Sequence, residues 1–187
     1  MTSLLDVPEI RERVSPLSVA EYHQLGEFNG NGRRTELIRG ILIEKMSKAP
    51  LHYTMIERVR EILSAQIQPG WLLRQEGPLT TADSEPEPDV AIVRGQRGAF
   101  DATHPRTAVL AIEVAVSSLA IDRVKALIYA EAGVQEYWIV CPEQKQVEVY
   151  RQPGPQGYAE RTLVASPAVL ECAALAGVKV DLGALFA

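Results

Sequence analysis

Four consecutive segments decide how this chain is read: EPEPDVAIVRG (85–95), AVLAIEVAVSS (108–118), LAIDRVKALIYAEAG (119–133) and VQEYWIV (134–140). Two short apolar runs, VAIV and VLAIEVAV, each have a carboxylate at or beside them where a buried strand should carry none. An ionised carboxylate removed from water costs several kcal/mol unless it is paired or binds a metal, so Asp89 and Glu113 each need a partner. Alternation along the strands puts Asp89, Ala91 and Val93 on one face and Val90, Ile92 and Arg94 on the other; Ala111, Glu113 and Ala115 likewise share a face. Two alanines flanking Glu113 leave room for an ion with water and substrate, which a structural ion pair would not need. Asp89 and Glu113 on neighbouring strands are hard oxygen ligands suited to Mg²⁺ or Mn²⁺.

Working outward, the helix expected over 119–132 is closed by Gly133, and Ser117 or Ser118 is available to cap its start. Val124, Leu127, Ile128 and Ala132 are expected to form its core stripe. Asp122 and Lys125 share a face three residues apart, which by spacing alone reads as a surface ion pair. EYWIVCP and KQVEVYRQ read as an antiparallel strand pair, with YAERTLVA as an added edge strand. The apolar end of VLECAALAGVKVDLGALFA is a candidate oligomer interface.

Upstream, Ser18 to Glu21 forms a capping box opening a helix over 18–26. Asn29-Gly30-Asn31-Gly32 signals a turn. RTELIRGILIEKM reads as two strands, 34–38 and 41–46, joined at Arg39-Gly40 as a hairpin. Glu36 and Glu44 are expected at exposed strand positions, with a place at the edge of the site as the other reading. Between Leu51 and Ile67, apolar residues at spacings of three and four mark one buried stripe of a helix ended by Pro69-Gly70. Its other face carries Glu57, Arg58, Arg60 and Glu61. His52 stands at its start, where a lone histidine is more often structural than functional. Trp71 to Thr80 reads as a strand, and 95–107 as a polar loop.

The 187 residues suit a single domain over 18–187 behind an N-terminal arm, residues 1–17. No apolar run approaches the ~18 residues of a membrane span, so a cytoplasmic location without membrane association is expected. Cys141 and Cys172 have no metal-ligand spacing and are expected as free core thiols. The net charge of −5 argues against nucleic-acid binding by a broad basic surface, although local clusters exist at Arg33/Arg34, Arg58/Arg60 and Arg94/Arg97.

The ordered run TELIRGILIEKMS, then His52, Gln75, EPEPDVAIVRG, IEVAVSSLAIDRVKALIYAEAGVQEYWIV and VEVYRQP resembles the Uma-type endonuclease family of bacteria, in the restriction-endonuclease-like PD-(D/E)xK superfamily. The resemblance spans about residues 17–151. It implies an α/β (α+β) fold: a restriction-endonuclease-like mixed sheet flanked by helices, with an N-terminal β-hairpin. It also implies that Asp89 and Glu113 bind the metal with the main-chain carbonyl of Val114. The superfamily's usual lysine falls at Ala115 here; in the Uma-type family it looks to have moved to the next helix, at Lys125.

The function expected is a Mg²⁺- or Mn²⁺-dependent DNA endonuclease with Asp89, Glu113 and Lys125 as catalytic residues. Gln75 and His52 could line the site, Glu44 or Glu57 could add a carboxylate, and Asp122 lies nearby. A homo-oligomer is carried only by analogy with restriction-type folds. Two other readings stand beside this one: a non-catalytic nuclease-fold module for binding or assembly, and a structural network of Asp89, Glu113 and Lys125.

Overall fold

The computed structural model describes residues 8–26, 34–45 and 49–187. The Asn29–Gly32 turn, Arg33 and residues 1–7 lie outside the described residues. A short helix α1 (Pro8–Arg11) precedes α2 (Val19–Gly26). The Ser18 capping box forms in both directions: the Glu21 amide donates to Ser18 Oγ at 3.2 Å and the Ser18 amide donates to Glu21 Oε2 at 2.8 Å.

The hairpin of β1 (Thr35–Ile38) and β2 (Ile41–Glu44) pairs Leu37 with Leu42 and Glu36 with Ile43. Its two-residue turn places Arg39 at φ 51° and Gly40 at φ 74°, the double positive φ that such turns demand. Glycine is required at the second position, because a Cβ there would meet Pro16 Cβ at 2.3 Å. Arg39, a less natural occupant, is tied down by its ion pairs to Asp83 and Glu131. An isolated bridge from Leu37 to Glu85 attaches the ribbon to the segment leading into Asp89.

The main sheet has six strands in the order β3 (Trp71–Gln75), β4 (Val90–Arg94), β5 (Leu110–Val114), β6 (Glu136–Cys141), β7 (Gln146–Gly154) and β8 (Gly157–Ala165). All neighbours are antiparallel except β5 and β6, which run parallel through the crossover helix α4 (Leu119–Glu131). β3 is shorter than the expected 71–80, because Glu76 takes φ 50° and its amide bonds the Asp89 carbonyl.

Alternation sorts the side chains. Val90, Ile92, Leu110, Ile112 and Val114 pack under α3 (Pro50–Ser64), against its Met55, Ile56, Val59 and Leu63. Ala91, Val93, Ala111 and Ala115 form the opposite face, with Ala126 and Tyr129 of α4.

The tail adds a small ribbon, β9 (Val169–Glu171) with β10 (Lys179–Asp181), and helix α5 (Leu182–Leu185). Leu182, Leu185 and Phe186 are buried in the chain's own core beside α3, so this apolar end is not a free interface. Both cysteines are free and buried. Among the described residues no helix is long and apolar enough to cross a membrane.

Glu148 of β7 is fully buried and accepts hydrogen bonds from Arg123 of α4, from Tyr150 at 2.7 Å and from Arg161 of β8 at 3.0 Å. Burial works against its charge, but these donors prevail and hold the carboxyl at about 2. A depressed folded pKa contributes stability at pH values above the ordinary 4.5, lost as pH falls towards 2. Because both arginines are about half exposed, Glu148→Gln is expected to cost about 2 kcal/mol at pH 7, and less as the pH falls. Urea unfolding at pH 7 and pH 3 checks this; an equal cost at both pH values would refute it.

Candidate functional site

The register of β4 and β5 builds the site. Val90 stands opposite Ile112, so continuing the ladder by one residue sets Asp89 opposite Glu113. Opposed positions of this kind hold side chains about 5 Å apart at Cβ, where like charges repel. Pro88 keeps the chain extended into Asp89, and both carboxylates are buried, at 5% and 4% exposure.

Their hydrogen bonds gather on one oxygen of each. Asp89 Oδ2 receives the Val114 amide at 2.8 Å and His52 Nε2 at 3.2 Å. Glu113 Oε1 receives Lys125 Nζ at 3.0 Å and the Tyr129 hydroxyl at 2.9 Å. Asp89 Oδ1 and Glu113 Oε2 have no hydrogen bond among the described residues. His52 Nδ1 is buried and also lacks a partner among them.

A cavity of about 130 Å³ opens at this point. It brings together Asp89, Glu113, Lys125, His52, Asp122 and Glu44 of the expected residues, with Glu36, Lys45 and Ser118 as further lining. Gln75 is not among them: at the end of β3 it pairs with Val90 of β4 and so shares Val90's face, opposite to that of Asp89. Glu57 also lies outside, paired with Arg60 on α3 at 3.4 Å. Val114 contributes its amide to Asp89 while its side chain enters the α3-side core.

Helix α4 differs from the expected orientation. Val124 and Leu127 are exposed, at 56% and 40%, while Asp122, Lys125 and Tyr129 point inward with Ile128. Asp122 and Lys125 are therefore not a surface pair. Nor does Ser118 cap the helix by its side chain; its hydroxyl donates to Asp122 Oδ2 at 2.6 Å. The inward face is polar because every group on it has a partner, which removes the penalty that normally turns such a face to water.

Glu36 is the main residue that strand reasoning misplaced. It is buried at 4% rather than exposed, bonds Lys125 Nζ through both oxygens at 3.0 and 2.8 Å, and accepts the Glu87 amide at 2.6 Å. The signal that picked out Asp89 was present here too, since Glu36 is a lone acid in the apolar run TELI. Tyr129 was legible as well, because Asp122, Lys125 and Tyr129 recur at helical spacing.

Four buried carboxylates crowd this space, and their electrostatics follow. Burial raises Glu113 well above the ordinary carboxyl range; Lys125 opposes this, and Asp122, Asp89 and Glu36 add to it. Burial similarly lifts Asp122 to about 6 against the pull of Lys125 and Ser118. Asp89 goes the other way: burial is outweighed by His52, the Val114 amide and Lys45. For Lys125, burial is more than offset by Glu113, Glu36 and Asp122, so its pKa is raised and it stays charged.

Among the described residues no group of three or more His, Cys, Asp or Glu side chains is arranged to hold a metal ion. The donor set suits an ion that keeps its waters: two carboxylate oxygens without hydrogen bonds, beside a strand end, in a cavity of water-sized space. On that chemistry the residues fit a hard divalent cation.

A mixed sheet carrying two carboxylates at one edge of a central strand pair, a crossover helix behind them and an N-terminal hairpin define a restriction-endonuclease-like nuclease fold. The chain belongs to the Uma2 family, described as "Putative restriction endonuclease", which it matches over residues 19–183. The crystal structure of "a putative nuclease belonging to DUF820" from Anabaena variabilis ATCC 29413 has the same fold, with a TM-score of 0.76 at 18% identity, covering 91% of this chain and 98% of that one. No curated protein matches the chain.

The elevated Asp122 carboxyl carries a stability consequence. The folded protein retains a proton that the unfolded chain gives up, so this residue's contribution to stability falls as pH rises from about 4 to about 6. Asp122→Asn is expected to be more stable than the parent at pH 7.5 by on the order of 1–3 kcal/mol, with the difference closing near pH 4. Urea unfolding at the two pH values decides; a destabilised Asn variant at pH 7.5 would show the charge to be net favourable.

Proposed function

We propose that this cavity is the active site of a divalent-metal-dependent endonuclease that hydrolyses phosphodiester bonds in DNA. The observation that carries the reading is the pair Asp89 and Glu113, opposed across two strands with one oxygen of each unbonded at the cavity. Asp89, Glu113 and the main-chain carbonyl of Val114 would hold Mg²⁺ or Mn²⁺. Such an ion, when bound, supplies Lewis acidity towards a phosphate oxygen and lowers the pKa of water.

The chain's own groups have distinct tasks in this reading. His52 and the Val114 amide fix Asp89 through one oxygen and so aim the other into the cavity. Tyr129 does the same for Glu113. Lys125, charged and with its donors taken up by Glu36 and Glu113, would keep a positive charge beside the ion's place and offset charge building on the phosphorus. Lys45 at the cavity wall is a second ammonium within reach of a phosphate.

The net charge of −5 limits general attraction to DNA, so affinity is expected to depend on the bound ion and to fall with salt. The same acidity favours a second reading, a nuclease-fold module that binds or assembles without cleaving.

Calorimetric titration with Mn²⁺, followed by plasmid nicking, on the wild type and Glu113→Ala tests both. The endonuclease reading expects Mn²⁺ binding and nicking by the wild type, each reduced roughly a hundredfold or more in the variant. Binding without nicking favours the module, and absence of both favours a structural ion network.

A further inference from the structure

Lys125 sits where carboxylates from three separate elements converge. Its Nζ lies 2.8 Å from Glu36 Oε2 on β1, 3.0 Å from Glu113 Oε1 on β5 and 4.0 Å from Asp122 Oδ1 on its own helix. All four side chains are almost wholly buried. Converging carboxylate oxygens in a closed space are the donor set of a hard cation. Here that space is filled by an ammonium covalently attached to the chain.

We propose that Lys125 occupies a second cation position, so that the site accepts one divalent ion rather than two. The proposal rests on the reading of Asp89 and Glu113 as ligands of that one ion. Glu36 and Asp122 are then positioning residues, acting through the lysine and not on the metal.

Glu36, Glu113 and Asp122 already share the one ammonium between them, so a second divalent ion finds no free place among these oxygens while Lys125 keeps its seat. The ammonium cannot exchange with solvent ions, so one of the site's two positive centres is permanent and the other is borrowed.

Removing the ammonium should therefore open its seat to a metal ion. The test is calorimetric Mn²⁺ titration of the wild type, Lys125→Met, Lys125→Gln and the double variant Lys125→Met/Glu36→Gln, with folding checked by circular dichroism. Lys125→Gln retains hydrogen-bond donors for the carboxylates and keeps the experiment decisive should the methionine variant not fold.

The expected result is one ion in the wild type, a second binding event in the single lysine variants, and its loss in the double variant. Two ions in the wild type, or no additional ion in either lysine variant, overturns the proposal. A wild type that binds none beside a lysine variant that gains one would remove the ion from Asp89 and Glu113 while upholding Lys125 as the resident cation.

Discussion

The repulsion between Asp89 and Glu113 is the constraint to which much of this structure answers. The β4–β5 register sets them against each other in a buried place, and no local change of rotamer separates two groups whose strands are laddered together. The surrounding chain supplies the compensation: an amide from Val114, an imidazole from α3, a hydroxyl and an ammonium from α4, and a further carboxylate on the hairpin to hold that ammonium. The small side chains of Ala91, Ala111 and Ala115 lie on the same face, in one buried cluster with Ala126 and Tyr129 of α4.

The two faces of the sheet differ in kind. The α3 side is mostly apolar, closed by Leu182, Leu185 and Phe186 from the tail, with one buried carboxylate, Glu136, held by Arg151 and the Trp138 indole. The α4 side carries the cavity's carboxylates at one end and, further along, Tyr137, Tyr150 and Tyr158 in ring contact. Charged groups tolerated on one face cost several kcal/mol when buried unpaired, and the other face makes the contacts that offset such a cost.

The sequence made the strands, the Arg39-Gly40 turn and the Ser18 capping box legible because each depends on neighbours a few residues away. Asp89 and Glu113 were legible by a different route, as charges that burial alone could not justify. The inward face of α4 was not, because hydrophobic periodicity assumes that apolar residues turn in; at Val124 and Leu127 that assumption fails once Asp122 and Lys125 have partners. Those partners are long-range, and no periodicity relates Glu36 to a lysine 89 positions later. Gln75 shows the opposite limit: one step along β3 moves a side chain to the other face, so proximity in sequence to the site did not place it there.

The hairpin that carries Glu36 joins the rest of the fold through contacts distant in sequence: the bridge from Leu37 to Glu85, the ion pair from Arg39 to Glu131 and the bond to Lys125. Contacts that close such long loops gain their reward only after the loop entropy has been met, whereas a β6–β7 pairing a few residues apart does not wait for them. Glu36 therefore reaches Lys125 only where the ribbon docks on the sheet, and a chain whose sheet forms without that docking still opposes Asp89 and Glu113 but leaves the Lys125 ammonium without its hairpin partner.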